Sequence, residues 1–305
     1  MQTCGLLFEA QGGLFGETTG WMPHFDSTVE CLVVQGNLAG DAARRWAEAL
    51  GRWAIPEWIL ARAVESPWAL PVSLFAADAA PAGALQRLAA ESLPPGGTVL
   101  DVGCGGGRAS LPLAGQATLV VGVDESPEML ESFAKAAASR GVDFEGILGR
   151  WPDVAQGHET DKRIGAFDVV VCRNVVYNVS EITRFVSELG SHARCAVVVE
   201  LTEKHPTAWL APLWKSYWGL DLPDEPTSNL FAEVLAELGY TPELHLDSRP
   251  PAKAAELGDD YVSFVRRRLC LEPSRDGEVR SSIERLWPTG PPALDSVVVR
   301  WPGAA

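Results

Sequence analysis

The stretch "VLDVGCGGGRASLPL", residues 99–113, decides the fold of this chain. An apolar run containing Asp101 leads into a turn in which four of the five residues 103–107 are glycines. Glycine adopts positive φ angles at little cost and lets a ligand approach the main chain, and the amides that begin the next helix favour electron-rich groups. This strand, turn and helix therefore predict the floor of a site for a nucleoside-like cofactor.

From residue 94 onward, short β-rich runs alternate with amphipathic helices. The helix "SPEMLESFAKAAASRG", for example, has Ser126 as its N-cap and Gly141 after its last turn. Apolar strands between such helices are typical of a parallel sheet covered on both faces, and right-handed crossovers give it a doubly wound α/β order. The sequence predicts seven mostly parallel strands, at "TVLDVG", "LVVGVD", "VDFEGIL", "FDVVVCR", "AVVVEL", "ELHLD" and "SVVVRW".

The chain divides into three predicted regions. Residues 1–36 are rich in glycine and have no sustained period, so we expect a poorly structured N-terminal extension. Residues 37–93 are expected to form a helical cap, because apolar residues recur there at spacings of three and four. Residues 94–305 form the predicted sheet domain, with a helical insertion at about 254–288, before the last strand.

The composition restricts the partners. The 305-residue chain has a formal net charge of −15, which opposes a partner held through phosphates, so we expect no nucleic acid. The basic run Arg266–Arg268 predicts a solvated helix face that makes ion pairs, with an anion site as the alternative. No apolar run approaches the ~20 residues that span a bilayer, so no membrane partner is expected. The six cysteines are scattered without metal-ligand spacing, which indicates reduced thiols, no metal site and a cytoplasmic protein.

The spacing around the glycines distinguishes between cofactors. A dinucleotide fingerprint requires Gly-x-Gly-x-x-Gly, and counting from Gly103 the sixth position is Arg108. A Walker lysine is also missing, which argues against a nucleoside triphosphate. Asp124 ends the next β-rich run, where a carboxylate accepts from both ribose hydroxyls and repels a 2′-phosphate.

Three motifs in residues 97–201 together resemble the class I S-adenosylmethionine-dependent methyltransferases, and the chain ends resemble actinobacterial members of the type 11-like group. The motifs are "VLDVGCGGGRASLPLA", "VVGVDESPEML" and "FDVVVCRNVVYNV". The resemblance implies a Rossmann-like fold, an enzyme that transfers a methyl group, and S-adenosylmethionine as cofactor.

The resemblance also implies the cofactor-binding residues. Asp101 would orient the amino-acid part of the cofactor, Asp124 would hold the ribose, and Glu125 would lie beside the adenine. Many relatives have an acidic residue for the adenine amino group after the third strand, but this chain reads "LGRWPDV". Either Asp153 takes that place or the main chain around Trp151 contacts the base edge, with ordinary packing as the alternative role of Trp151. The turn residues Gly103, Cys104, Gly105 and Gly107 would pass beneath the methionine moiety, and Arg173 and Asn174 would approach the sulfonium.

A base for the acceptor must come from loops at the carboxyl ends of the fourth and fifth strands. The sequence offers Tyr177, Glu200 and His205, and histidine has a reference pKa of ~6.5, suitable for a base near neutrality. A purely structural role for His205 is the alternative.

The acceptor is expected to be a small molecule. The Asn/Asp-Pro-Pro-Tyr motif of many amino-methylating enzymes is replaced here by "CRNVVYN", and the acidic charge favours a small substrate. Two other functions stay open: a noncatalytic protein that binds S-adenosylmethionine, and, less favoured, an NAD-dependent oxidoreductase. The oligomeric state is left open.

Overall fold

The predicted seven-stranded sheet is confirmed by the computed structural model, which describes residues 40–68, 83–156, 161–248, 258–290, 292 and 294–305. The strand order is β3-β2-β1-β4-β5-β7-β6, and the predicted extension at residues 1–36 lies outside the described residues. The strands are β1 (Gly97–Val102), β2 (Ala117–Asp124), β3 (Asp143–Leu148), β4 (Phe167–Arg173), β5 (Ala193–Thr202), β6 (Glu243–Asp247) and β7 (Ser296–Pro302).

The first five strands are parallel, and β7 runs antiparallel between β5 and β6. The central strands are almost continuously apolar and fully buried, as expected where helices cover both faces. Because β1 lies between β2 and β4, the strand order reverses at β1. The carboxyl ends of β1, β2, β4 and β5 share one edge, and ligands of doubly wound folds bind at such a reversal.

Helices form a layer on each face of the sheet. On one face α1 packs against α7 and α5, and on the other α3 and α4 lie directly on the strands. In the part of the chain that the structure describes, the helices are α1 (Asp41–Arg52), α2 (Glu57–Leu60), α3 (Ala84–Ser92), α4 (Pro127–Arg140), α5 (Ile182–Ser191), α6 (Ala211–Trp218), α7 (Ser228–Glu237), α8 (Asp259–Arg268) and α9 (Asp276–Leu286).

The N-terminal helices are confirmed, and α1 belongs to the main core. The Trp46 side chain is fully buried, its Nε1 donates to the Val179 carbonyl oxygen at 2.9 Å, and its ring stacks on Tyr177 with centroids 5.5 Å apart. The helix α3, which the sequence groups with the cap, instead packs on β5 and β4 of the sheet. The amphipathic periodicity of the sequence predicts both α1 and α3, but it does not predict which surface each helix packs against.

The helical insertion before the last strand is also confirmed. The helices α8 and α9 follow β6 and precede β7, and with α6 and Ile59 they form a separate apolar core. The predicted start of the insertion lies outside the described residues. None of the helices that the structure describes is both long and apolar enough to cross a membrane.

Replacing Trp46 by alanine should lower the free energy of unfolding by about 3–5 kcal/mol, because it removes a fully buried indole from the core. Trp58→Ala is the matched control, since the Trp58 side chain is 53% exposed and its loss should cost about 1 kcal/mol or less. Chemical denaturation of the two variants measures both values. Equal losses would mean that α1 is not part of the cooperative core.

Candidate functional site

The turn after β1 is fixed by two glycines that have no room for a side chain. The amides of Gly103 and Cys104 both donate to the Val123 carbonyl oxygen of β2, at 2.9 and 3.0 Å. Gly103 has φ +66°, and a Cβ there would lie 2.3 Å from Val175. Gly107 has φ +84°, and its Cβ would lie 2.6 Å from the Phe133 ring. These two positions require glycine for the fold itself.

Gly105 differs from its two neighbours because its open side faces empty space. Its φ is +50°, and a Cβ built on it would have no atom within 4 Å. Its amide donates to Asp124 Oδ2 at 2.8 Å, and the amide of Ser126 donates to Oδ1 at 2.9 Å. Asp124 therefore ties the turn after β1 to the start of α4 and leaves the main chain at Gly105 accessible.

Two carboxylates flank this turn, and both are buried. Asp101 Oδ2 accepts from the Ser110 hydroxyl at 2.6 Å, whereas Oδ1 has no hydrogen-bond partner among the described residues. Burial, with a smaller effect from the charge of Asp124, raises the pKa of Asp101 to about 7, against the hydrogen bond from Ser110. Burial also raises the pKa of Asp124, against the three backbone amides that stabilise its charge, those of Ser126, Gly105 and Glu125. Because buried carboxylate oxygens normally receive a hydrogen bond, Asp101 Oδ1 suits a ligand whose cationic amine would donate one.

The part of the site that is expected to hold the adenine ring lies in the loop after β3. The amide of Gly149 donates to the Asp124 carbonyl oxygen at 3.0 Å, which holds this loop at the end of β2. Trp151 is buried against the edge of His192 with centroids 5.2 Å apart, and its Nε1 has no hydrogen-bond partner in the described part of the chain. Glu125 is exposed and Cys104 is buried. The roles of these residues toward a cofactor stay predictions.

The ends of β4 and β5 carry a buried ion pair that the sequence analysis missed. Arg173 Nε lies 3.0 Å from Glu200 Oε2, with side chains 10% and 0% exposed. The Asn174 amide donates to the Glu200 carbonyl oxygen at 2.8 Å, and Asn174 itself is exposed with φ +57°. Adjacent parallel strands pair Arg173 with Glu200 in register, so strand order was the signal needed to find the pair.

The other two proposed bases meet in one aromatic group with Trp53. The Tyr177 hydroxyl donates to the Thr202 carbonyl oxygen at 2.6 Å, and burial raises the pKa of this phenol well above its usual range.

The buried His205 ring stacks on Trp53 at 4.0 Å and meets Tyr177 edge-on at 5.5 Å. Burial lowers the pKa of His205 to about 3, with a smaller effect from Arg268. The imidazole is therefore neutral, and its Nδ1 faces the Thr207 hydroxyl at 3.0 Å. The catalytic roles of His205, Tyr177 and Glu200 stay predictions.

The described residues contain no group of three or more histidine, cysteine, aspartate or glutamate side chains placed to hold a metal ion.

Residues 99–194 match the family described as "Methyltransferase domain". Residues 99–194 carry a methyltransferase domain. The matched span begins in β1 and ends in β5, so it contains the glycine turn, Asp124 and the end of β4. The prediction of a class I, S-adenosylmethionine-dependent methyltransferase domain is thereby confirmed, and S-adenosylmethionine is the cofactor of this domain class.

Curated relatives match part of the chain. The chain is 32% identical over 136 residues to an O-antigen chain terminator bifunctional methyltransferase/kinase of Escherichia coli, covering 42% of this chain and 17% of that protein. It is 36% identical over 99 residues to a ubiquinone biosynthesis O-methyltransferase of Mesorhizobium japonicum, covering 32% of this chain and 36% of that protein. The chain thus spans less than half the length of these relatives.

Solved structures are similar at lower identity. A S-adenosylmethionine-dependent methyltransferase from Thiobacillus denitrificans aligns with a TM-score of 0.47 and 18% identity over 72% of this chain and 90% of that one. Magnesium protoporphyrin IX methyltransferase from Synechocystis aligns with a TM-score of 0.45 and 18% identity over 72% and 80%.

Replacing Arg173 by methionine should lower the free energy of unfolding by about 3–5 kcal/mol, because it leaves the Glu200 carboxylate buried without its cation. The double variant Arg173→Met, Glu200→Gln should recover much of that loss, since no buried charge remains. Denaturation of the wild type, both single variants and the double variant gives the coupling between the two side chains. Additive losses would show that the ion pair does not contribute to stability as a unit.

Proposed function

We propose that this protein transfers the sulfonium methyl group of S-adenosylmethionine to a small-molecule acceptor and releases S-adenosylhomocysteine. The observation that supports this proposal most directly is the open turn at Gly105, which lies between the two buried carboxylates of Asp101 and Asp124. One of their oxygens, Asp101 Oδ1, receives no hydrogen bond from the described residues. The methyltransferase family match over the same residues supports the proposal. The relatives named for ubiquinone biosynthesis support a small-molecule acceptor. The cysteines of the described residues are free thiols, which supports a cytoplasmic location.

The electrostatics of the turn favour this cofactor over a dinucleotide. S-adenosylmethionine brings a sulfonium and an ammonium group, which the carboxylates of Asp101 and Asp124 attract. The diphosphate of NAD would instead lie over the glycine turn and be repelled by the Asp101 carboxylate. In this arrangement Asp101 Oδ1 accepts from the ligand amine, Asp124 accepts from the ribose hydroxyls, and Gly105 leaves room for the methionine part.

When bound, S-adenosylmethionine supplies an already activated methyl group, so the work of the protein is alignment and exclusion of water. Arg173 and Glu200 fix the ends of β4 and β5, where the acceptor must approach. His205, held between Trp53 and Tyr177, is the proposed acceptor-side group. With its pKa lowered to about 3 the imidazole is a weak base, so its proposed role is to orient a polar acceptor atom.

Replacing Gly105 by asparagine should abolish binding of S-adenosylhomocysteine and leave the fold intact. Asparagine tolerates the positive φ of this residue, and its side chain would fill the open space above the turn. Calorimetric titration with S-adenosylhomocysteine, and with NADH as comparison ligand, measures the effect. Wild-type protein should bind S-adenosylhomocysteine and not NADH.

The matched control is Gly141→Asn. Gly141 has φ +66° and open surroundings like Gly105, but it lies at the far end of α4. This variant should bind the ligand normally. If Gly105→Asn also binds normally, the turn does not contact the cofactor. If wild-type protein binds but produces no S-adenosylhomocysteine from S-adenosylmethionine with any acceptor, the noncatalytic alternative is correct.

The affinity for S-adenosylhomocysteine should rise about five- to tenfold between about pH 6 and pH 7.5. Burial raises the pKa of Asp101 to about 7, so its carboxyl is mostly neutral at the lower pH and mostly ionised at the higher pH. Only the ionised form attracts the ligand ammonium, which itself stays charged in this range. Asp101→Asn should bind more weakly and with little pH dependence. Equal pH dependence in both proteins would exclude Asp101 as the titrating group.

A further inference from the structure

The buried carboxylate of Asp101 is held at one of its two oxygens. The Ser110 hydroxyl donates to Oδ2 at 2.6 Å, and both residues are fully buried. Ser110 directly precedes the short helical turn Leu111–Leu113, which follows the glycine turn. A hydroxyl is a neutral donor, so it stabilises the ionised carboxylate without cancelling its charge. The second oxygen, Oδ1, has no hydrogen-bond partner among the described residues.

A cation lies close to Asp101 but forms its ion pair elsewhere. In the register of the sheet Asp101 lies opposite Val171 of β4, and Arg173, two residues further along β4, has its side chain on the same face. The charge of Arg173 lowers the pKa of Asp101. Arg173 Nε lies 3.0 Å from Oε2 of Glu200, which belongs to β5, on the other side of β4 from β1. This ion pair therefore directs the guanidinium away from Asp101.

The other titratable groups that act on Asp101, among the described residues, lie on β2, on β4 and in the glycine turn. The charge of Asp124, at the end of β2, raises the pKa of Asp101. The thiols of Cys104 in the turn and Cys172 on β4 are both buried, and burial raises the pKa of each thiol. Both thiols are therefore neutral near neutral pH, so they do not compensate the charge of Asp101.

Resting on the methyltransferase function proposed above, we propose that Ser110 and Glu200 are positioning residues of the cofactor site: the Ser110 hydroxyl keeps the Asp101 carboxylate charged, and Glu200 keeps Arg173 from neutralising it. The unpaired carboxylate then attracts the ammonium group of the ligand. Burial strengthens this attraction, because charges interact more strongly in a medium of low dielectric constant. A guanidinium paired with Asp101 would instead repel the same ammonium group.

The first measurement follows the ionisation of Asp101 in the full chain without ligand. Infrared difference spectra recorded between about pH 5 and pH 9 follow carboxyl groups, and the band that Asp101→Asn removes gives the midpoint for Asp101. Ser110→Ala should raise this midpoint by about one pH unit, since it removes a hydrogen bond that favours the charged form. Glu200→Gln should lower it by about one pH unit, since Arg173 is then able to pair with Asp101.

Calorimetric titration with S-adenosylhomocysteine measures the consequence for binding. At about pH 7, Ser110→Ala should bind about fivefold more weakly than wild-type protein. The difference should fall below about twofold at about pH 8.5, where Asp101 is mostly ionised in both proteins. Ser282→Ala is the matched control, because its buried hydroxyl contacts the Tyr217 hydroxyl within the insertion, and it should bind like wild-type protein at both pH values.

The double variant Arg173→Met, Glu200→Gln separates the effect of the cation from that of the glutamate. At about pH 7.5, Glu200→Gln alone should bind S-adenosylhomocysteine about fivefold more weakly than wild-type protein, because Arg173 then competes with the ligand ammonium. Removal of that cation in the double variant should restore most of the affinity. The double variant also leaves no unpaired buried charge at these two positions, so the comparison does not depend on a destabilised protein.

Midpoints that move in the same direction in Ser110→Ala and Glu200→Gln would overturn the proposal, and so would a double variant that binds no better than Glu200→Gln. If wild-type protein binds no S-adenosylhomocysteine, the proposed function fails, and the ligand-free midpoints still decide whether Ser110 and Glu200 control the charge of Asp101. If wild-type protein binds this ligand and neither midpoint moves, only the positioning inference fails.

Discussion

The turn after β1 passes between two packed side chains, and the whole site depends on this constraint. Val175 lies against Gly103 and Phe133 against Gly107, so neither position can carry a Cβ without displacing the core. With both ends of the turn fixed, the Gly105 amide reaches the Asp124 carboxylate at the end of the neighbouring strand. Since β1 lies where the strand order reverses, the accessible part of the turn faces the crevice used by ligands in this fold class.

The buried charges among the described residues are of two kinds. Arg173 pairs with Glu200, and Arg266 pairs with Glu65 and Asp276, so these charges are neutralised within the chain. Asp101 Oδ1 has no hydrogen-bond partner among the residues described, and burial raises the pKa of this carboxyl. A ligand of opposite charge reverses this shift. The proposed cofactor brings an ammonium to Asp101, so charge pairing assigns the cofactor side of the reaction.

The N-terminal helices connect stability with the acceptor side. Trp46 packs inside the main core through Tyr177 and Val179, while Trp53, one residue beyond α1, stacks on His205. The Trp53 Nε1 also donates to the Glu225 carbonyl oxygen at 2.6 Å, which fixes its ring. The position of His205 therefore depends on the packing of α1 on the sheet. Substitutions in that core should change the position of the proposed acceptor-side group.

The sequence by itself determined the seven strands, the main helices, the glycine turn and the position of Asp124, because these depend on periodicity, caps and spacing within about thirty residues. It did not determine that Gly103 and Gly107 serve packing while Gly105 is open, that Glu200 pairs with Arg173, or that Arg266 pairs with Glu65 and Asp276. Those distinctions arise between residues far apart in the chain, where strand order and helix packing select the neighbours. Burial and charge pairing are properties of that arrangement, so only the tertiary structure decided them.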